Sequence, residues 1–80
     1  MTINVLAFGI AKDIFGTSSI QVQLEDKITA GGLKALLETT YPRLKQLSSF
    51  MLAVNNEYAP AGDIIEDTDE IAVIPPVSGG

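Results

Sequence analysis

The chemistry open to this sequence is concentrated at its end, Pro75-Pro76-Val77-Ser78-Gly79-Gly80. A terminal carboxylate is ionised at neutral pH and is inert as an acyl donor until an enzyme converts it to a mixed anhydride. Gly79 and Gly80 have no side chains. They form a thread that fits a narrow channel and reaches backbone conformations closed to other residues. Pro75 and Pro76 stiffen the base of that thread and point it away from a sheet. A terminal Gly-Gly alone is common at frayed ends. Behind a proline base and attached to a small domain, it reads as a reactive tail.

The rest of the inventory narrows the chemistry. There is no cysteine and no histidine, so disulfides and the common zinc sites are excluded, as is histidine acid–base catalysis. Sulfur cannot ride on this chain as a thiolate or persulfide. A complete active site is therefore not expected. Ten acids against five bases give a net charge of −5, which argues against nucleic acid and suits a basic protein partner. No apolar run approaches the roughly 20 residues of a membrane span. Met1-Thr2-Ile3-Asn4 lacks the basic stretch of a signal peptide. A cytoplasmic protein with no bound metal or cofactor and no membrane contact is expected.

Eighty residues, 46% of them hydrophobic, make one small core. Ile3 to Ile10 reads as a strand covered at least partly on both faces. Lys12 to Thr17 reads as a loop closing on Gly16, and Ile20-Gln21-Val22-Gln23-Leu24-Glu25 alternates as a half-buried strand. After a turn at Asp26-Lys27-Ile28, Thr29 caps a helix running to Thr40 with Leu33, Leu36 and Leu37 on one stripe. Gly31 and Gly32 weaken its first turn but permit close packing. Pro42 ends it near Tyr41. Leu44 and Leu47 sit in a connector of about one helical turn. Phe50 to Asn55 is a third strand. Asn55-Asn56 is a tight turn, and Tyr58 starts a short fourth strand. Asp63 to Glu70 is an acidic stretch anchored by Ile64 and Ile65, and Ile71 to Ile74 is the last strand, stopped by Pro75-Pro76.

One helix across one face of a mixed sheet is the arrangement this order supports. The fold class is α+β, of the β-grasp or ubiquitin-like kind, over residues 1–76, with 77–80 as a flexible tail. The first and last strands, the most uniformly apolar, should be central. Parity then makes a further demand. Ile3, Val5 and Ala7 oppose Leu6 and Phe8, and Ile71 and Val73 oppose Ala72 and Ile74. The helix covers one face only. If it covers the first set, Leu6, Phe8 and Ile74 are left on the other, with Tyr58 as a candidate neighbour; an apolar patch there marks a protein interface, the alternative being that loops cover it.

Across nearly its whole length the chain resembles the MoaD-like small subunits of molybdopterin synthase. The resemblance rests on Val5-Leu6-Ala7-Phe8, Gly16-Thr17, Leu33, Leu36-Leu37 and Tyr41-Pro42. It continues through Val54-Asn55-Asn56-Glu57-Tyr58 and Asp67-Thr68-Asp69-Glu70-Ile71-Ala72 to Ile74-Pro75-Pro76-Val77-Ser78-Gly79-Gly80. The last segment is the most specific. Ala7, Asn56, Thr68 and Ile74 depart from residues common in that family.

The resemblance implies adenylation at Gly80 by an ATP-dependent activating enzyme of the ubiquitin-activating type. Conversion to a thiocarboxylate follows, then transfer of sulfur to a cyclic pterin phosphate in the large synthase subunit, for molybdenum cofactor biosynthesis. Adenylate and thiocarboxylate at Gly80 are transient modifications, and a heterotetramer with the large subunit is implied. The reactive residues are then Gly80 and Gly79. The partner-binding residues are Phe8, Tyr58, Ile74, Pro75, Pro76, Val77 and Ser78. Three alternatives remain open: a sulfur carrier of the thiamine type, a ubiquitin-like modifier joined to lysine, and an interaction domain with an inert tail.

Overall fold

The computed structural model describes residues 1–47 and 50–75. The first strand, β1 (Thr2–Ala7), is followed by a short helix α1 (Ile10–Phe15) and strand β2 (Ser19–Gln23). A two-residue strand β3 (Ile28–Thr29) leads into the main helix α2 (Ala30–Thr40), and a 3₁₀ helix follows over Pro42–Gln46. Four strands complete the order: β4 (Met51–Val54), β5 (Glu57–Tyr58), β6 (Ile64–Ile65) and β7 (Ile71–Ile74). The main sheet has the order β2-β1-β7-β4-β5, with β1 and β7 parallel and the other neighbours antiparallel. β3 and β6 form a separate antiparallel pair. This is the mixed sheet with one main helix that the alternation at Ile20–Glu25 and the leucine stripe require, and β1 and β7 are adjacent as expected.

Helix α2 begins where the sequence places it. Thr29 is its N-cap, and its Oγ1 accepts from the Gly32 amide at 3.1 Å. Its end is set by Pro42, which keeps Tyr41 out of the helical region, at φ −124° and ψ 82°. Leu33 and Leu37 are buried against Ile3, Val5, Ala7, Leu52, Ile71 and Val73. Each fully buried leucine contributes about 1.5–3 kcal/mol. The Gly31 amide donates to the Ala61 carbonyl at 2.9 Å, and a Cβ on Gly31 would stand 3.0 Å from that of Ala61. The helix start and the loop before β6 thus touch because position 31 has no side chain.

Four local readings differ from the sequence expectation. The first strand stops at Ala7 instead of running to Ile10, and Ile10 opens α1. Most of the expected loop over Lys12–Thr17 is therefore helical. Six residues do not hold a helix by propensity alone. This one is held by burying Ala11 and Phe15, and the Phe15 ring lies 4.6 Å, centroid to centroid, from Tyr41. Gly16, at φ 78°, closes it with its amide on the Lys12 carbonyl. Ile28 pairs with Ile65 instead of belonging to a turn. Of the two expected anchors Ile64 and Ile65, only Ile65 is buried. The third strand is Met51–Val54, shorter at both ends than expected. The Asn55-Asn56 turn holds, with φ of 53° and 70° at the two residues.

Candidate functional site

The sheet's two faces separate by parity. Ile3, Val5, Ala7, Ile71 and Val73 are buried beneath α2, while Leu6, Ala72 and Ile74 are half-buried on the other face. Strand register lines up that second face. Leu6 stands beside Ala72, Ala72 beside Ala53, and Ala53 beside Tyr58, a row crossing four strands. The next row pairs Ile74 with Met51.

Ala53, Ala72, Tyr58 and Ile74 of these rows line a shallow depression of about 280 Å³. Its floor is Ala53 and Ala72, two of the smallest side chains. Phe8, Tyr58 and Ile74 stand around it, and Asn56 and Glu70 form a polar rim. Phe8 is 51% exposed and Tyr58 63% exposed. The structure therefore brings Phe8, Tyr58 and Ile74 together. It also adds Met51, 49% exposed and cross-strand from Ile74, together with the two floor alanines. The sequence reading named neither Met51 nor Ala53, and placed Ala72 on this face by parity without giving it a role. Met51 was legible in principle, as the outward partner of buried Leu52 on an alternating strand. That Ala53 and Ala72 make a floor was not, because a small residue on an open face has no signature until its neighbours are known.

The rim is held at Glu70, whose backbone bonds both the side chain and the amide of Asn55. The Glu70 amide donates to Asn55 Oδ1 at 2.9 Å, and the Asn55 amide donates to the Glu70 carbonyl at 2.8 Å. Asp67, Asp69 and Glu70 continue the acidic edge past Leu6 and Asn4. An exposed apolar surface with aromatic and methionine side chains and a charged border has the anatomy of a protein interface.

The base of the tail leaves from the same end. The β1–β7 ladder closes on Ala7↔Val73. One step beyond it stand Phe8 and Ile74, and two steps beyond stand Gly9 and Pro75. Pro75 is half-buried, and its Cγ lies 3.5 Å from where a Cβ on Gly9 would be. Pro76, Val77, Ser78, Gly79 and Gly80 lie outside the described residues, as does the proposed boundary at 76/77. Among the described residues, no helix is long and apolar enough to cross a membrane.

Comparison with known proteins accords with this geometry. The model of the ThiS family matches residues 5–80. The chain belongs to the ThiS family. It is 42% identical over 81 residues to the molybdopterin synthase sulfur carrier subunit of Dictyostelium discoideum, covering 96% of this chain and 94% of that one. Among solved structures of this fold, SAMP1 from Haloferax volcanii superposes with a TM-score of 0.82 at 24% identity, each chain fully covered. The complex of subunits 1 and 2 of the molybdopterin-converting factor from Helicobacter pylori gives a TM-score of 0.68 at 23% identity, again with full coverage. At these identities the two structures speak for the β-grasp fold of this ThiS-family chain.

Proposed function

We propose that this chain is the sulfur carrier subunit of a molybdopterin synthase. The observation that carries the reading is its full-length similarity to proteins of that name, at 42% identity for the Dictyostelium discoideum protein. The open face supports it: Phe8, Tyr58, Ile74 and Met51 form an interface surface at the end of the sheet from which Pro75 leads toward Gly80.

In this reading the Gly80 carboxylate attacks the α-phosphorus of ATP on an activating enzyme, forming an acyl adenylate and releasing pyrophosphate. A sulfur nucleophile then attacks the carbonyl and releases AMP, leaving a thiocarboxylate whose sulfur passes to a pterin substrate. Gly79 keeps the thread slim enough to reach both active sites. The chain supplies the sulfur-bearing carbonyl, and its partners supply the acid–base groups. The large synthase subunit covers the Phe8–Tyr58–Ile74 face in a heterotetramer, as subunits 1 and 2 of the Helicobacter pylori factor associate in a complex. The activating enzyme docks on the same face. We place the chain in the cytoplasm, as a 1–76 domain with a 77–80 tail.

The test is intact-mass analysis of the full chain after incubation with its activating enzyme, ATP and a sulfur donor. Exchange of oxygen for sulfur at Gly80, with pterin product on addition of the large subunit, is the expected result. An isopeptide conjugate to lysine with no thiocarboxylate would make the chain a protein modifier instead.

A further inference from the structure

The depression on the open face has two chemically different ends. Strand β7 runs from one to the other: Glu70 stands just before it, Ala72 lies on the floor, and Ile74 ends it. At about 3.3 Å per residue, Glu70 and Ile74 are about 13 Å apart along the strand. Phe8 lies toward the Ile74 end, because β1 and β7 run parallel from the Leu6↔Ala72 pair. Asn56, in the turn that Glu70 holds, marks the polar end. Between the ends the floor is the methyl groups of Ala53 and Ala72, paired across β4 and β7, and Tyr58 flanks it beside Ala53. No lysine or arginine lines the depression. Among the described residues, the Glu70 carboxylate and the Asn56 amide enter no hydrogen bond or ion pair. Glu70 holds the turn through its backbone alone, with its amide on Asn55 Oδ1 and its carbonyl on the Asn55 amide.

We propose that this depression receives one arginine side chain of the large synthase subunit, its stem laid on Ala53 and Ala72 and its guanidinium on the Tyr58 ring and the Glu70 carboxylate. The proposal rests on the sulfur-carrier reading above and names the chemistry that the partner must present. The volume, about 280 Å³, falls short of the roughly 300–1,000 Å³ of small-molecule sites, so a side chain is the fitting occupant. A cavity apolar at one end and acidic at the other suits an apolar stem with a cationic head. Asp67 and Asp69 extend the negative edge beside Glu70 and turn away an anionic head. A wholly apolar side chain would cover the Glu70 carboxylate and leave it unpaired, which is costly. Between the two cations, guanidinium is planar and more weakly hydrated than ammonium. It stacks on an aromatic ring, meets a carboxylate with two parallel N–H donors, and keeps others for Asn56 Oδ1.

The experiment is a double-mutant cycle, read by calorimetric titration of the full-length chain with the purified large subunit. Each surface arginine and lysine of that subunit is changed in turn to alanine. Glu70→Gln is expected to weaken association on the order of tenfold and to flatten its dependence on salt. It keeps both backbone bonds to Asn55, so the melting temperature should not move. Glu57→Gln removes the same charge from the residue before Tyr58, whose side chain points to the opposite face, and should leave affinity within about twofold. One arginine variant should weaken binding to the unmodified chain by a factor similar to that of Glu70→Gln. It should add little to Glu70→Gln and be coupled in the same way to Tyr58→Leu. An equal loss from Glu57→Gln would reduce the effect to net charge and overturn the pairing. Coupling to a lysine, or to no arginine, overturns the occupant. Weakening by Tyr58→Leu with none by Glu70→Gln gives the depression to an apolar side chain instead. Each of these results leaves the sulfur-carrier reading standing. No association of the two unmodified chains overturns the proposal and the synthase reading together.

Discussion

Asn55 and Asp69, fourteen residues apart, are joined side chain to side chain, with Asn55 Nδ2 donating to Asp69 Oδ1 at 2.9 Å. The second polar atom of each side chain is also engaged. Asn55 Oδ1 accepts from the Glu70 amide and Asp69 Oδ2 from the Glu66 amide at 2.8 Å. One asparagine thus ties the β4–β5 turn to the acidic segment before β7, while holding φ at 53°. Asn55→Ala should cost about 2–3 kcal/mol, from lost hydrogen bonds and a left-handed conformation that alanine resists. Asn55→Gly, which accepts that φ, should cost about 1–2 kcal/mol. Urea unfolding of the two variants separates the contributions; equal losses would mean that the backbone conformation is not at issue.

At the start of α2 a propensity argument and a packing argument oppose each other. Gly31→Ala gains up to about 1 kcal/mol of helix propensity. Its Cβ would stand 3.0 Å from Ala61 Cβ and 3.2 Å from the Ala61 carbonyl oxygen, which already accepts the Gly31 amide. Overpacking of this kind costs about 1–3 kcal/mol, and that backbone contact cannot swing aside as a side chain can. Net destabilisation is expected, read as a lower melting temperature.

Thr29→Ala removes the one side chain that accepts an amide at the N-terminus of α2. About 1 kcal/mol should be lost in chemical denaturation. Thr29→Ser, which keeps the oxygen, should recover most of it.

Phe8→Asp should leave unfolding within about 0.5 kcal/mol of the parent, because the ring is half in solvent and outside the core. Affinity for the partner should fall by about 2 kcal/mol or more. Calorimetric titration alongside thermal unfolding checks both; an unfolded variant would put Phe8 in the core and refute the parity reading.

Deleting Gly80 should abolish thiocarboxylate formation and leave stability unchanged, because the described core ends at Val73. One residue spans about 3.5 Å, far more than a reacting geometry tolerates. Gly79→Val should act in the same direction by widening the thread. Mass spectrometry after activation, with a melting curve, reads both effects.

By itself the sequence determined the elements whose cause is local. The Thr29 cap, the Leu33–Leu37 stripe, the stop at Pro42, the left-handed pair Asn55-Asn56 and the alternation along β2 are properties of neighbouring residues, and each stands where chain chemistry puts it. Parity along the first and last strands also told which apolar residues a single helix could not cover, and so pointed to Leu6, Phe8 and Ile74. Only the tertiary structure decided what depends on distant partners. The α1 helix exists because Ala11 and Phe15 find a core and Tyr41 finds Phe15. Ile28 becomes a strand because Ile65 lies beside it. Ala53 and Ala72 become the floor of a depression because register places them between larger residues. The meeting of Gly9 with Pro75 needed the parallel β1–β7 pairing, since the spatial adjacency of residues 66 positions apart follows from a ladder and from no pattern in the residues themselves.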